Sequence, residues 1–207
     1  MPKQTFYNLS VDKKEHIINA LKKEFEVYPI FEASVASIIK RAGISRGSFY
    51  QYFEDLEDSF FTILELEIVE IHDLFIDLIK KEKGNLFSAL KLYGNYIAAE
   101  IFKPKKYNIY KNRYLYWNRE LDEKWKKFRK QRVNSSFNGQ MQLNSKDYAL
   151  NRDAINFLSA IIKDLIENLF VKEWDKETFL QKYDQYIYWI EYGLAEEKEL
   201  YGSLSDE

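Results

Sequence analysis

Apolar residues recur along most of this chain at intervals of three and four, the spacing of helices with one buried face. Read segment by segment, the pattern predicts helices near 10–27, 34–41, 45–51, 56–82, 86–102, 105–117, 119–136, 152–173 and 176–199. No convincing run alternates apolar with polar residues as a half-buried strand would. Pro29 and Pro104 fall where two of these helices must break. The amide-rich stretch from Asn134 to Ser145, with Gly139, reads as the clearest loop. The expectation is an all-α chain of about nine helices.

Three helices carry further information in their stripes. Between 56 and 82, Phe60, Leu64, Ile68, Ile71, Phe75 and Ile79 form one apolar line along a rod long enough to join two parts of the molecule. Near the C-terminus, Ile155, Leu158, Ile162, Leu165 and Leu169 repeat close to the 3.5-residue period of a packed seam. Phe179, Tyr183, Tyr186, Ile190 and Leu194 nearly repeat it on the next helix, where Tyr188, Trp189 and Tyr192 occupy other faces. Helices apolar on more than one side need more than one partner, so a second copy of the chain is expected against this pair. The expected homodimer interface is Ile155, Leu158, Ile162, Leu165, Leu169, Tyr183, Tyr186 and Ile190. An entirely intramolecular core is the competing reading.

The segment Ser34 to Phe53 is the most specific. A short amphipathic helix with Val35, Ile38, Ile39 and Ala42 stops at Gly43, whose freedom at positive φ suits a tight turn. Two residues later a second helix begins, capped by Ser45 and bearing only Ser, Arg, Gly and Ser in its opening turn. Two helices joined this tightly read as a helix-turn-helix whose second helix enters the major groove of double-stranded DNA. Arg46 can donate two hydrogen bonds to guanine, and Gly47 allows close approach of the backbone. Ser45 and Ser48 can reach phosphate or base edges, and Tyr50 and Tyr52 offer hydroxyls to phosphate. Ser34 would cap the preceding helix, whose free N–H groups could hold a phosphate. Ser37 and Gln51 complete the candidate DNA-binding set of Ser34, Ser37, Ser45, Arg46, Gly47, Ser48, Tyr50, Gln51 and Tyr52. Phe49 and Phe53 are better suited to anchoring the helix.

Residues from about 12 to 64 resemble the DNA-binding domain of the TetR/AcrR family of bacterial transcriptional regulators. The matching residues are Ile17, Ile18, Ala20 and Phe25, then Ser34, Ile38 and Ala42-Gly43-Ile44-Ser45, then Gly47-Ser48-Phe49-Tyr50 and Tyr52-Phe53. The resemblance implies a three-helix DNA-binding domain with helix-turn-helix over 1–55. It also implies a helical ligand-binding and dimerisation domain over 56–207. Two positions depart from the family pattern. Pro29-Ile30-Phe31 replaces a usual loop glycine, and Leu56 stands where a lysine usually touches phosphate, among Glu54, Asp55, Glu57 and Asp58. The function implied is a homodimeric repressor released from its operator by a small apolar or amphipathic inducer. The alternative, suggested by Leu56 and its acidic neighbours, is an all-helical protein-interaction module that has lost operator binding.

Charge refines this picture. The chain of 207 residues carries a net −2. Residues 1–60 hold 8 Lys and Arg against 9 Asp and Glu, so the reading head must depend on a few placed contacts. Residues 103–132 hold 12 against 3, which reads as solvated helix faces complementing the C-terminal third, at 7 against 14, in preference to a DNA patch. Aromatics form 17% of the chain and include 16 tyrosines. In the family the central helices enclose the inducer, so Tyr93, Tyr96, Phe102, Tyr110, Tyr114 and Trp117 are the expected lining. Tyrosine suits that role, with an apolar body and one hydrogen-bonding tip.

Absence of cysteine removes disulfides, thiolate metal sites and cysteine nucleophiles, and the two histidines suggest no metal site. No phosphate loop, zinc-protease motif or nucleophile elbow is present, so neither an enzyme nor a cofactor is expected. With no signal-peptide pattern and no apolar run of about 18 residues, a cytoplasmic protein without membrane association is expected.

Overall fold

The computed structural model describes residues 2–133 and 152–193. Ten helices and no strand occur among the described residues: α1 Gln4–Tyr7, α2 Val11–Val27, α3 Val35–Ala42, α4 Arg46–Tyr52, α5 Leu56–Lys81, α6 Leu86–Ile101, α7 Pro104–Leu115, α8 Arg119–Val133, α9 Arg152–Val171 and α10 Lys176–Tyr192. Nine of these fall where the apolar spacing places them. The tenth, α1, exceeds the expected count because four residues are too few to show a period; burial of Phe6 identifies it instead. The loop expected at 134–145 lies outside the described residues.

Helix boundaries follow local chemistry. Ser34 Oγ accepts from the Ala36 N–H at 3.2 Å to open α3. Gly43, at φ 60°, closes it, and the Ile44 N–H reaches back to the Ile39 carbonyl at 3.1 Å. Ser45 Oγ accepts from the Ser48 N–H at 3.0 Å to open α4. Asp55 caps α5 through the Asp58 N–H at 2.7 Å, and the Asp58 carboxylate turns back to the Glu54 N–H at 3.0 Å. Pro104 occupies the first position of α7, where its missing N–H costs nothing.

The chain divides into two compact units, Met1–His72 with Ile101–Leu150 and Asp73–Glu100 with Asn151–Glu207. In the first unit, Ile17, Leu21, Phe25, Ile38, Phe49 and Phe53 share a continuous core with Phe60 and Leu64 of α5 and with Trp125 and Phe128 of α8. Trp125 and Phe128 stack at 5.5 Å, and Phe61 meets both rings. In the second unit, a Cβ built on Gly94 of α6 would lie 2.3 Å from the Tyr183 ring of α10, so only glycine permits this approach. The Tyr183 hydroxyl donates to the Leu90 carbonyl at 2.9 Å, and burial holds it well above the ordinary phenol range.

That second unit corrects part of the expected dimer interface. Leu158, Leu165, Leu169 and Tyr183 are buried within a single chain and are core. Their stripes are spent on neighbouring helices of the same copy. Ile162, Tyr186 and Ile190 are half-buried, and the side chain of Ile155 lies outside the described residues. The exposed large residues of α9 and α10 are instead Phe157, Val171 and Tyr192.

Candidate nucleic-acid interface

Helices α2, α3 and α4 pack into a small head, and α4 exposes Arg46, Gly47, Tyr50 and Gln51. Arg46 is exposed at the first position of α4, with its guanidinium carbon 5.7 Å from the centre of the Tyr50 ring. Tyr50 is 38% exposed and meets the buried Phe49 edge-on. A Cβ on Gly47 would meet only the Ser45 hydroxyl, at 3.7 Å, so nothing inside the chain demands glycine there. The bare backbone leaves room for an outside partner. Ser45 is exposed and Ser48 half-buried, with their hydroxyls hydrogen-bonded at 2.9 Å. Gln51 is exposed one turn further along.

Three of the expected contact residues are engaged by the chain itself. Tyr52 is only 6% exposed because its ring packs on Phe6, 6.3 Å away, so it belongs to the core rather than to a DNA-facing surface. The Ser37 hydroxyl donates at 2.5 Å to Glu24. Ser34 caps α3 through its hydroxyl, and its own N–H donates to the same carboxylate at 2.9 Å. Glu24 is 1% exposed, and Arg41 lies 3.8 Å from its second oxygen. A buried carboxylate thus occupies the start of α3 and fastens it to α2. Its signal in the sequence was an acid on the same face as Ile17, Ala20 and Leu21, where the helical period places an apolar residue.

The acidic turn after Phe53 also has local work. Asp55 and Asp58 cap α5. Glu57 bonds Lys124 of α8 at 2.8 Å, and Lys124 also reaches Glu120 at 3.0 Å. Burial tends to raise the Glu57 carboxyl, but the Lys124 ammonium outweighs it and holds the group below its ordinary range. Leu56 is half-buried against the head's core. A lysine there would surrender that packing.

The expected ligand-lining residues are divided between the units. Tyr93 and Tyr96 belong to the second unit, where Tyr93 is buried against Phe75 and Tyr96 is 47% exposed. Phe102, Tyr110, Tyr114 and Trp117 belong to the first. Trp117 packs against the aromatic cluster of α5 and α8, and Phe102 meets Tyr107 at 5.8 Å. Tyr110 is 4% exposed, and its hydroxyl has no hydrogen-bond partner among the described residues. Burial and the nearby Glu67 hold that hydroxyl above its ordinary range. Glu67 is 2% exposed, pairing with Lys22 and Lys106 at 2.8 Å each. Burial pushes its carboxyl up, but Lys106 and Lys22 together hold it below the ordinary range. A separate cavity of about 220 Å³ lies beside Ile30, Phe31, Leu56, Tyr116 and Leu121, none of them an expected lining residue.

Among the described residues no group of three or more acids and histidines is arranged to hold a metal ion, and no helix is long and apolar enough to cross a membrane.

A capped helix-turn-helix with an exposed arginine at the head of its second helix defines a DNA-binding regulator fold. Comparison with known proteins gives the family. Residues 17–58 match the model of bacterial regulatory proteins, tetR family, and residues 86–193 match the model described as tetracyclin repressor, C-terminal domain. The chain belongs to the TetR family of bacterial transcriptional regulators. It is 30% identical over 80 residues to the HTH-type transcriptional regulator AcrR of Shigella flexneri; the match spans 39% of this chain and 37% of that relative. The fold is similar to that of the fatty acid degradation regulator FadR of Bacillus halodurans, with a TM-score of 0.56 at 19% identity, covering 87% of this chain and 96% of that one.

Proposed function

We propose that the protein is a homodimeric repressor that reads an operator half-site with the exposed side of α4 and leaves it when a small apolar or amphipathic inducer binds. Arg46 carries this reading. It stands exposed at the N-terminus of a capped helix, beside a glycine that the chain's own packing does not need. In the groove it would donate two hydrogen bonds to a guanine, while Ser45, Ser48, Tyr50 and Gln51 would hold backbone and neighbouring base edges. The DNA-binding domain of this reading is 1–55 and its regulatory domain 56–207.

Dimerisation through α9 and α10 is supported by the apolar residues left outside the core, with Phe157 57% and Tyr192 50% exposed. A twofold pair would set two copies of α4 on successive turns of the groove. Inducer binding is supported by the match of residues 86–193 to a C-terminal domain model of the family. Of the expected lining residues, Tyr110 carries a buried hydroxyl with no hydrogen-bond partner among the described residues. The inducer need only favour the released form by about 1–3 kcal/mol to act.

The competing reading as an interaction module rested on Leu56 and the acids around it. Packing, capping and the Lys124 pair give Leu56, Asp55, Asp58 and Glu57 local roles, so these residues do not require a loss of operator binding. A mobility-shift assay with the DNA upstream of the protein's own gene tests the proposal. A sequence-specific band that weakens steeply with salt is expected. Absence of any such band overturns it.

A further inference from the structure

Helix α4 has seven residues, far fewer than an isolated helix needs to persist in water. Its last carbonyls, Tyr50, Gln51 and Tyr52, lie beyond the reach of its own N–H ladder, which ends with the Phe53 N–H on the Phe49 carbonyl at 2.9 Å. All three are met by donors from the start of the chain. The Lys3 ammonium donates to the Tyr50 carbonyl at 2.8 Å. The Thr5 hydroxyl donates to the Gln51 carbonyl. The Lys3 backbone N–H donates to the Tyr52 carbonyl at 2.8 Å. Phe6 secures the arrangement, 4% exposed and 5.1 Å from the Phe53 ring.

We propose that Lys3 and Thr5 are positioning residues for DNA recognition: the segment Lys3–Phe6 is a brace that completes the C-terminal end of the recognition helix and holds Arg46 and Tyr50 in register for the groove. This rests on the operator-binding reading above. The brace places a cation at the negative end of the helix dipole, where it stabilises the helical form. A neutral hydroxyl and a backbone amide do the same service for the adjoining carbonyls. That shared pattern distinguishes a brace from a lysine placed to touch phosphate, which would need neither Thr5 nor the Lys3 amide. A head without a strong positive charge has particular use for it, since affinity then depends on a few contacts held in fixed geometry.

Lys3→Gln and Thr5→Val in the full chain test this, with two readouts. One is amide hydrogen exchange over residues 49–53, and the other is affinity for the upstream DNA across a salt series. The brace predicts faster exchange in both variants, confined to α4. It also predicts affinity weakened about tenfold, the effect of one lost net hydrogen bond, at an unchanged salt slope. Thr5→Val is decisive because it changes no charge. If Thr5→Val alters neither readout while Lys3→Gln reduces the salt slope by about one, Lys3 is a phosphate contact and the brace is wrong. Faster exchange with unaltered affinity overturns the positioning role. If the wild type binds no specific DNA, the operator reading fails, and the exchange data alone then decide whether the brace exists.

Discussion

The DNA-reading head and the α9–α10 pair are stabilised by different means. In the head, two short helices of eight and seven residues are held by directed polar bonds: caps from Ser34 and Ser45, the buried Glu24 carboxylate, and donors from Lys3 and Thr5. In the pair, helices of 20 and 17 residues are held by bulk, with Leu165, Leu169 and Tyr183 inside and the Tyr183 ring pressed on Gly94. The contrast follows from helix length. A helix of two turns has few intact backbone bonds and ends that dominate its energy, so its end groups must be met. A helix of five turns buries enough apolar surface to be held by packing.

The two modes respond differently to substitution. Leu165→Asp should remove about 4 kcal/mol or more by burying an unpaired charge, and a thermal melt should show loss of fold. Retained stability with mere dissociation of the dimer would return Leu165 to the interface.

Glu24→Ala should cost about 1–3 kcal/mol, because it strands the Ser34 N–H and the Ser37 hydroxyl, while Glu24→Gln should restore most of that loss. Equal loss in both would make the charge, rather than the hydrogen bonds, the holding element. Glu67 adds an acid-sensitive point on α5. Its native carboxyl is held below the ordinary glutamate range, so its contribution is complete above that range and is lost as pH falls from there through the lower native value. Glu67→Gln should cost roughly 1–3 kcal/mol at neutral pH, less than a fully buried pair because both lysines reach solvent, and should flatten the acid limb of a pH–stability curve. An unchanged acid limb would assign that sensitivity elsewhere.

Phe157→Glu gives the smallest stability change, within about 0.5 kcal/mol for an exposed site. Sedimentation should nevertheless find monomers where the wild type forms dimers. A dimer that survives would place the interface away from the exposed side of α9.

What was readable in the sequence divides along the same line. Helices long enough to repeat their apolar spacing were legible, as were the caps at Ser34 and Ser45, because Ser before an amphipathic run has a local meaning. The four residues of α1 were not, and Glu24 shows in the sequence only as an acid on an apolar face, its partners lying on another helix. Tyr52 shows the same limit. Its hydroxyl suggested phosphate, but the position of its ring was set by Phe6, 46 residues earlier. On α9 and α10 the period marks Leu158, Leu165, Leu169, Phe179 and Tyr183, which are buried, and Ile162, Tyr186 and Ile190, which are half-buried. It carries no information on whether the covering surface belongs to the same chain or to a second copy, and Leu165 and Tyr183 are covered by their own chain.

The central claim is that α4 reads sequence through Arg46. Titration of wild type and Arg46→Ala against operator DNA and a set of its single-base-pair variants, by fluorescence anisotropy at fixed salt, measures this directly. The expected result is a loss of about 1–3 kcal/mol on the operator together with loss of discrimination at one base pair. Equal weakening on every sequence, or no weakening at all, would contradict it.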